Sequence, residues 1–283
     1  MTLDIDHLRT WIGRTAVIDD VVTPVPLHAL TATLDRDDPP VTPSDHLPPC
    51  WHWLYFLPIH RQSEIGPDGH PKRGGFLPPV PLPRRMWAGS QLQFKAPLRV
   101  GQAISRSSRI ADVRVKEGRT GPLVFVNVDH EIRADGEPAI LERHDIVYRD
   151  NPRPGDPTPA PQAAPADAAW SREIVPDDVL LFRYSALTFN GHRIHYDRKY
   201  VTEVEGYPGL IVHGPLIATL LLDLLRRRLP DASVKSFSFR AVQPLFDVAP
   251  FSVCGRQEDA ETVRLWARTP DGHLAMDATA QLY

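Results

Sequence analysis

The sequence predicts an α+β protein made of two similar halves, in each of which antiparallel strands follow an apolar helix. Three observations support this fold class. The stretch 215–229 has apolar residues at helical spacing, alternating segments follow it, and a Pro/Ala-rich segment at 151–169 divides the chain. Predicted elements occur in the same order on both sides of that segment, which indicates an internal duplication.

The second half begins with a predicted strand at 179–184. A helix follows at 215–229, with Gly214 as N-cap and Pro215 at the first helical position, and three arginines at its C-terminal end suit the helix dipole. Four strands are then predicted, at 233–241, 250–257, 261–268 and 273–282.

The first half repeats this order. A short apolar helix is predicted at 48–58, followed by a long loop at 59–83 that is rich in Pro, Gly and His. A loop of that length is either a lid or binding loop, or a disordered insertion. The predicted strands are 89–97, 103–116, 123–133 and 139–148. We therefore expect a domain at 1–150, a linker at 151–169 and a second domain at 170–283.

Composition narrows the class of function. The chain has 283 residues, 42% of them apolar and 24% charged, and a formal net charge of -3. These values are ordinary for a globular enzyme and give no reason to expect nucleic acid or a membrane as partner. Cys50 and Cys254 lie far apart, which indicates neither a disulfide framework nor a zinc site. Because no signal-peptide pattern occurs and Asp223 interrupts the longest apolar stretch, we expect a cytoplasmic protein.

The most informative part of the chain is the polar stretch 188–197, TFNGHRIHYD. It combines an amide, two imidazoles, a guanidinium and a carboxylate. His213, Gly214 and Pro215 come soon after it, at the start of the apolar helix. A helix N-terminus presents unpaired N–H donors to an oxyanion, and histidine transfers protons near neutral pH. The pattern therefore predicts an enzyme active site.

The segment 190–195, NGHRIH, resembles the signature of the MaoC-like (R)-specific hydratase/dehydratase family, which reads G-D-x-N-P-[LIV]-H. Together with GLIVHGP at 209–215, it is similar to the branch of mesaconyl-C4-CoA and itaconyl-CoA hydratases and to hydroxyacyl-thioester dehydratases of type 2. The resemblance covers most of the chain, but only the second half carries a sharp motif. In the first half, DDPP at 37–40 takes the matching place and lacks the histidine.

This resemblance implies a double hot-dog fold, in which two antiparallel sheets each wrap around a central helix. It also implies reversible hydration of an enoyl-CoA to a 3-hydroxyacyl-CoA, with a carboxylated short-chain acyl group such as itaconyl or mesaconyl as the expected substrate. No cofactor is expected apart from the CoA of the substrate, and no metal. The two halves would form a pseudo-dimer within one chain, and a further homodimer stays open.

Within the resemblance, His195 matches the catalytic histidine and Gly214 matches the glycine that binds the thioester carbonyl. Asn190 stands where the family has an aspartate, and an amide binds water but does not exchange a proton at neutral pH. We therefore expect His195 to transfer the proton while Asn190 positions the water. Asp197 is a further candidate to orient the imidazole or to replace the missing carboxylate. A structural histidine and a glycine that only caps its helix are the alternatives.

Four more residues are candidates for substrate binding. Arg183 and Arg193 offer guanidinium groups to a substrate carboxylate, with a surface or ion-paired arginine as the alternative. His192 and His213 are expected at the pocket, although His213 could instead satisfy only the helix cap.

Four alternatives to this function stay open. One is a 3-hydroxyacyl-thioester dehydratase of fatty-acid-type metabolism, and another is a hot-dog thioesterase that would hydrolyse the same kind of substrate. A metal enzyme would use a cluster of His192, His195 and His213, although no HExxH spacing occurs. The fourth is a non-catalytic acyl-CoA-binding module, in which Asn190 marks lost activity. No glycine-rich nucleotide-binding pattern is present, so dinucleotide and nucleoside-triphosphate chemistry are unsupported.

Overall fold

The secondary-structure elements form two sets, one in each half of the chain, and both sets contain a strand, a helix and then four strands. The computed structural model describes residues 3–151, 153, 155–156 and 160–283. The first set comprises α1 (Ile5–Arg9), β1 (Thr15–Val21), α2 (Pro24–Thr33), β2 (Arg84–Phe94), β3 (Ala103–Gly118), β4 (Gly121–Ala134) and β5 (Glu137–Arg149). The second set comprises β6 (Trp170–Ile174), α3 (Asp178–Leu187), α4 (Gly214–Arg228), β7 (Val234–Ala241), β8 (Phe251–Gln257), β9 (Thr262–Arg268) and β10 (Leu274–Leu282).

The ten strands of the described residues form one antiparallel sheet in the order β1-β3-β4-β5-β2-β7-β10-β9-β8-β6. This order is symmetric about the β2–β7 pair, since each strand of the first set has its counterpart at the same distance on the other side. At the junction Leu92 pairs with Phe237. A Cβ atom on Gly89 would lie 2.4 Å from the Phe239 carbonyl oxygen, so the close approach of β2 and β7 requires glycine there.

Helix α4 forms the core of the second half. Ten consecutive residues, from Leu216 to Leu225, are buried, and the helix packs against β6, β8 and β9. Its buried acidic side chain is paired with three guanidinium groups, those of Arg36, Arg172 and Arg227, at 2.6–2.7 Å from the Asp223 carboxylate. This pairing allows a charge inside an otherwise apolar helix.

The predicted start of α4 is correct to within one residue. His213 is the N-cap, so Gly214 is the first helical residue and Pro215 lies in the first turn. Proline suits this position because the N–H that it lacks would have no partner within the helix.

The segment 179–184, predicted as a strand, instead lies within helix α3. The carboxylate of Asp177 caps this helix by accepting a backbone N–H of the first turn at 2.8 Å. The buried residues Leu181, Tyr184 and Ser185 are spaced three and four positions apart, as on one face of a helix. A short apolar run fits both a strand and a helix, and here the capping residue and the buried face favour the helix.

The helix predicted at 48–58 is a single 3₁₀ turn, Trp51–Leu54. Pro48, Pro49 and Pro58 surround it, and proline supplies no N–H for a longer helix. Helix α2 was not predicted, and neither were β1 and β6, which are the two edge strands of the sheet. When these three elements are included, both halves have the same order of elements. Each begins with a strand and a helix, continues with the motif and a central turn or helix, and ends with four strands.

The division into domains stays a prediction. The segment 151–169 includes residues 152, 154 and 157–159, which lie outside the described residues. Its end is attached to the second half, because Ala164 donates a backbone hydrogen bond to Gly272 at 2.9 Å. Among the helices of the described residues, none has the length and apolar character needed to cross a membrane.

Candidate active site

The polar motif forms a tight turn directly after α3. The Asn190 N–H donates to the Ser185 carbonyl at 2.8 Å, and Phe189 has a left-handed φ of 50°, which turns the chain away from the helix. A 3₁₀ turn, Arg193–His195, follows and directs the His195 imidazole inward, where the residue is 8% exposed. The turn after α3 therefore places the His195 side chain in the interior of the protein.

The hydrogen bond of His195 fixes its tautomer. Its Nδ1 lies 2.7 Å from the Ile211 carbonyl oxygen, and a carbonyl only accepts, so Nδ1 carries the proton. Burial lowers the pKa of His195 to about 4, while the Ile211 carbonyl opposes this shift and His70 adds to it. The imidazole is therefore neutral at physiological pH. Its Nε2 has a lone pair and no hydrogen-bond partner in the described part of the chain, as a general base requires.

Two adjoining cavities meet beside the motif. The smaller cavity, of about 520 Å³, is lined by His192, His195, Asn190 and Gly214 among others. The larger cavity, of about 950 Å³, is also lined by Asn190 but not by His195. Both volumes are typical of ligand-binding pockets. The structure thus brings together the three residues predicted to be catalytic, and their roles remain predictions.

Gly214 presents a backbone N–H at the start of α4. In the first turn of a helix the N–H groups have no intrahelical acceptor, and the Gly214 N–H has none among the described backbone hydrogen bonds. A Cβ atom on Gly214 would meet only the Trp87 carbonyl oxygen, at 3.9 Å, so the space next to this N–H is open. The geometry suits an oxyanion that binds at the positive end of the α4 dipole.

Asn190 is oriented by its own turn. Its Oδ1 accepts the His192 N–H at 3.0 Å, which holds the side chain at the border of the two cavities. The amide NH₂ group has no partner within the described residues, so it is available to a water molecule or a substrate.

The ring of His213 packs against one face of the His195 imidazole. The two rings stack with centroids 3.7 Å apart and planes 16° from parallel. The His213 Nε2 lies 2.8 Å from the Ser185 hydroxyl, and burial lowers the pKa of His213 well below its usual value. His213 does not contribute to the lining of either cavity, so the prediction that it binds substrate is corrected to a supporting position.

The loop 59–83 packs onto the motif backbone. A Cβ atom on Gly69, which has a φ of +89°, would lie 1.8 Å from the Gly191 carbonyl oxygen. In the same region the Arg193 N–H donates to the Asp68 carbonyl at 2.9 Å. These contacts favour the interpretation of the loop as a lid or binding loop over that of a disordered insertion.

The loop also places an imidazole against the motif. The rings of His70 and His192 are 3.9 Å apart, and the His70 Nδ1 lies 3.1 Å from the Asp68 carboxylate. Burial, and next the charge of Arg85, lower the pKa of His70 to about 4. Asp68, His70 and His192 have ligand atoms within 4.8 Å of one another and could hold a metal ion. This group shares only His192 with the predicted cluster of His192, His195 and His213, so the expected set of metal ligands is not the one found among the described residues.

Arg193 and Asp197 bind each other, which corrects two expectations. Two guanidinium nitrogens of Arg193 donate to Asp197 Oδ2 at 2.7 and 3.0 Å. Arg193 also donates to the Pro67 carbonyl at 3.0 Å and lies 4.1 Å from the centroid of the Tyr200 ring. Its charge is therefore already neutralised and not available to a substrate carboxylate. Asp197 neither orients His195 nor replaces the family carboxylate.

Arg183 is corrected as well. It lies exposed on α3, and the lining of both cavities lacks it. The geometry therefore gives it no role in binding a substrate at this site.

The opposite wall of the site comes from the first half, and sequence reasoning missed Trp87 and His144. Arg85, Trp87 and His144 line both cavities. The His144 Nε2 lies 2.6 Å from the buried Glu142 carboxylate, which also accepts from His52 Nε2 at 3.0 Å. Burial opposes ionisation of Glu142, but the adjoining His144 and then His52 hold the pKa of its carboxyl well below its usual range. The available signal was Glu142 and His144 at alternate positions of a strand, which puts both on one face.

The first-half counterpart of the motif has a structural role. The Asp38 carboxylate pairs with Arg36 at 2.8 Å and with Arg226 at 3.1 Å. The hydrogen bond from Arg36 is the main cause that lowers the pKa of Asp38. A further cavity of about 790 Å³ adjoins this region and is lined by Trp51 and Arg226. It shares no lining residue with the smaller and larger cavities, so it is a separate space.

Comparisons with known proteins agree with this geometry. The profile of the family described as hydroxyacyl-thioester dehydratase type 2 matches residues 50–247. The chain is 48% identical over 275 residues to the mesaconyl-C(4)-CoA hydratase of Chloroflexus aurantiacus, covering 96% of each protein. It is 28% identical over 289 residues to the mitochondrial hydroxyacyl-thioester dehydratase type 2 of Schizosaccharomyces pombe, covering 88% of this chain and 91% of that relative.

Solved structures share the fold. HtdX of Mycobacterium tuberculosis superposes with a TM-score of 0.66 at 17% identity, covering 95% of this chain and 100% of that one. A second protein of the same organism, described as having a double hot-dog fold, gives a TM-score of 0.62 at 12% identity and covers 96% of each chain. The predicted double hot-dog fold is therefore confirmed. The chain belongs to the hydroxyacyl-thioester dehydratase type 2 family, and it is a MaoC-like hydro-lyase that interconverts enoyl and 3-hydroxyacyl thioesters.

Proposed function

We propose that this protein adds water reversibly to mesaconyl-C4-CoA or to a similar short enoyl-CoA with a free carboxylate, such as itaconyl-CoA. A relative named for the first of these substrates is 48% identical over 96% of the chain. The observation that carries the proposal is the bond from His195 Nδ1 to the Ile211 carbonyl. It leaves a neutral, buried imidazole with a free Nε2 in a cavity that Asn190 and Gly214 also line.

Water addition requires a base, a proton for Cα and a group that stabilises the enolate oxygen. In the proposed reaction His195 Nε2 takes a proton from water while the hydroxyl forms a bond to Cβ and the C=C electron pair moves onto the thioester oxygen. The protonated imidazole then delivers the same proton to Cα, and the thioester carbonyl forms again. Atoms and charge balance, and dehydration follows the same steps in reverse.

The enolate oxygen is proposed to bind the Gly214 N–H. This donor is preorganised by the first turn of α4, next to a proline that contributes no N–H, and it lies at the positive end of the helix dipole. A donor fixed before reaction stabilises developing charge without reorganisation.

Asn190 is proposed to hold the attacking water. Because its Oδ1 is oriented by the His192 N–H, the amide NH₂ group has a fixed direction at the border of the two cavities. The side chain cannot accept the proton, so His195 alone carries the acid–base chemistry in this account.

A second candidate is the dehydration of longer 3-hydroxyacyl thioesters. The larger cavity favours it, because its volume of about 950 Å³ and lining residues such as Phe56, Phe76 and Phe182 would accept a longer apolar chain.

We infer that no cofactor takes part beyond the CoA of the substrate, since His195 and the Gly214 N–H supply both the proton transfer and the oxyanion donor. A metal ion, if one were needed, would be held by Asp68, His70 and His192. Dialysis against EDTA is expected to leave the hydration rate unchanged. A loss that added Zn²⁺ or Mn²⁺ reverses would contradict this inference.

The test is a panel of enoyl-CoA substrates: mesaconyl-C4-CoA, crotonyl-CoA and a long-chain enoyl-CoA. We expect loss of enoyl absorbance and a product heavier by one water, fastest with mesaconyl-C4-CoA. Preference for the long chain would select the second candidate. Release of free thiol would indicate a thioesterase, and no turnover of any substrate would indicate an acyl-binding module.

A further inference from the structure

Arg85 on β2 is a cation that faces the site without a partner. Among the cationic side chains of the described residues, it is the one arginine or lysine that lines both cavities. Its neighbours are occupied: Arg84 donates to the Tyr207 hydroxyl at 2.6 Å, and Arg73 donates to backbone carbonyl groups of its own loop. Arg85 makes no ion pair within the described residues; the polar groups near its guanidinium are the Tyr148 hydroxyl and, further away, the Asp68 carboxylate, and its charge favours the ionised form of each. A half-buried guanidinium group without a partner is costly, unless a ligand supplies the acceptor.

Tyr148 provides a second unpaired donor beside it. Arg85 and Tyr148 are cross-strand partners in the β2–β5 pair, so their side chains lie on the same face of the sheet. The Tyr148 side chain is fully buried and lines the larger cavity, and its hydroxyl has no hydrogen-bond partner within the described residues. Burial raises the pKa of Tyr148, so the hydroxyl keeps its proton and can donate. Two donors therefore lie side by side in the wall of the larger cavity, and one of them, Arg85, also reaches the smaller cavity.

The position of this pair matches the chemistry of the proposed substrate. In mesaconyl-C4-CoA the free carboxylate is attached to Cβ, the carbon that receives the hydroxyl group. It must therefore lie close to the water that Asn190 and His195 are proposed to handle. Arg85 shares the smaller cavity with both residues. Its charge also lowers the pKa of His192 after the larger effects of burial and of His70 and His195, which agrees with a position near the motif.

The two arginines that the sequence offered for this task are engaged or lie elsewhere, and the nearby His144 is engaged as well. Arg193 is paired with Asp197, and Arg183 is exposed on α3. The two ring nitrogens of His144 lie within hydrogen-bonding distance of Glu142 and His130, at 2.6 and 3.3 Å, so neither is available to a ligand.

We propose that Arg85 and Tyr148 form the subsite for the free carboxylate of the substrate. The guanidinium group donates two N–H groups to the carboxylate and the phenol donates a third hydrogen bond. This subsite selects enoyl-CoA substrates that carry a carboxylate on Cβ over plain enoyl-CoA substrates. The inference rests on the proposed hydratase function.

The experiment compares kcat/KM for mesaconyl-C4-CoA and crotonyl-CoA in four variants: Arg85→Gln, Arg85→Lys, Tyr148→Phe and Arg183→Gln. Losing a charged hydrogen-bond donor reduces binding by roughly 10- to 100-fold. We expect Arg85→Gln to lower kcat/KM for mesaconyl-C4-CoA by that factor relative to crotonyl-CoA.

Tyr148→Phe, which keeps the ring and its packing, should lower the same ratio by roughly tenfold. Arg85→Lys keeps the charge without the fork and should fall between wild type and Arg85→Gln. Arg183→Gln, an exposed arginine outside both cavities, should leave the ratio unchanged.

Equal losses on both substrates would overturn the inference, since they would assign Arg85 to the CoA portion that the substrates share. An unchanged ratio in Tyr148→Phe and in both Arg85 variants would overturn it too, as would a wild-type protein that hydrates crotonyl-CoA but not mesaconyl-C4-CoA. A wild-type protein that hydrates neither would overturn the proposed function itself, and the inference with it.

Discussion

The proton on His195 Nδ1 determines what the site can do. The Ile211 carbonyl accepts that proton, so the basic nitrogen is Nε2, and burial keeps the ring neutral. His213 stacks behind the ring and limits its rotation. A histidine held in this way needs no aspartate to fix its tautomer, which is consistent with Asn190 at the position where the family has a carboxylate.

The pH dependence of the free enzyme follows from the lowered pKa. His195 is active when neutral, and its pKa is about 4 instead of 6.5. We expect kcat/KM to stay constant between pH 7 and pH 5 and to fall only as the pH approaches 4. Initial rates with a saturation series at each pH would measure this. A fall in kcat/KM centred near pH 6.5 would contradict the account. Crotonyl-CoA is the control substrate, because it has no carboxylate that titrates in this range.

We expect Asn190 to contribute by positioning the attacking water and not by transferring a proton. Asn190→Ala removes the amide and should lower kcat by roughly 100-fold. Asn190→Asp keeps an oxygen that accepts the His192 N–H, so the turn is preserved and kcat should stay within roughly tenfold of wild type. Stopped-flow hydration rates for both variants measure this. An alanine variant as fast as wild type would remove Asn190 from the mechanism.

The sequence predicted the location of site residues best where they belong to a recognisable motif or lie next to one. Asn190, His195 and Gly214 do meet at one cavity. The role expected of Arg193 fails because its partner Asp197 lies four positions later, on the same side of a short helical turn, and pairs with it. Arg85 belongs to a strand without any motif, and its proximity to the site follows only from the sheet order.

At the scale of elements, the site depends on the loop 59–83 closing over the turn after α3. The contact is backbone against backbone, at Gly69 and Gly191, and leaves no room for a side chain. The loop thereby adds His70 to the wall of the smaller cavity. A loop packed over a site separates it from bulk water, which strengthens the interaction of fixed donors such as the Gly214 N–H with developing charge.

Gly69→Ala should therefore open the lid. Its Cβ would clash with the Gly191 carbonyl and its φ of +89° disfavours any side chain. We expect kcat/KM to fall at least about tenfold with little change in the melting temperature, because Gly69 lies outside the part of the loop that packs into the core around Val80. Gly75→Ala in the same loop is the control, since a Cβ there meets nothing within 4 Å. Equal activity of the two variants would contradict the role of the lid.

Elements with long or clearly alternating patterns could be predicted from the sequence, and short ones could not. Helix α4 has ten consecutive buried residues, and eight of the ten strands have enough alternation to be identified. The segment 179–184 is too short for its period to decide between strand and helix. Strand β1 is mostly exposed, so its sequence lacks the apolar alternation that marks a strand.

At the scale of the whole molecule, the two halves contribute different parts to one site. The second half supplies the motif and the N-terminus of α4, and the first half supplies Arg85, Trp87 and His144. The symmetric sheet order places these parts on either side of the β2–β7 junction. The site is therefore built within one chain, and a further homodimer remains a prediction that light scattering would test.

The buried histidines make the fold sensitive to acid. Burial lowers the pKa of His130, His195 and His213 below the 6.5 of an ordinary histidine. Unfolding therefore binds protons between pH 6.5 and about 4, so the free energy of unfolding is retained above pH 6.5 and declines as the pH falls through that window. We expect the free energy of unfolding to change by roughly 1 kcal/mol per pH unit or more in this window.

Urea unfolding at pH 7, 6 and 5 measures this slope, and His195→Gln should reduce it. Constant stability from pH 6.5 to 4.5 would contradict the buried neutral state.

The most direct test of the central claim is the turnover number of His195→Ala with mesaconyl-C4-CoA, measured beside wild type and the exposed-histidine control His7→Ala. If His195 transfers the proton, kcat falls by roughly 10² to 10⁴, while His7→Ala keeps the wild-type rate. A His195→Ala variant that retains more than about a tenth of the wild-type kcat would contradict the account, because general acid–base catalysis contributes more than that.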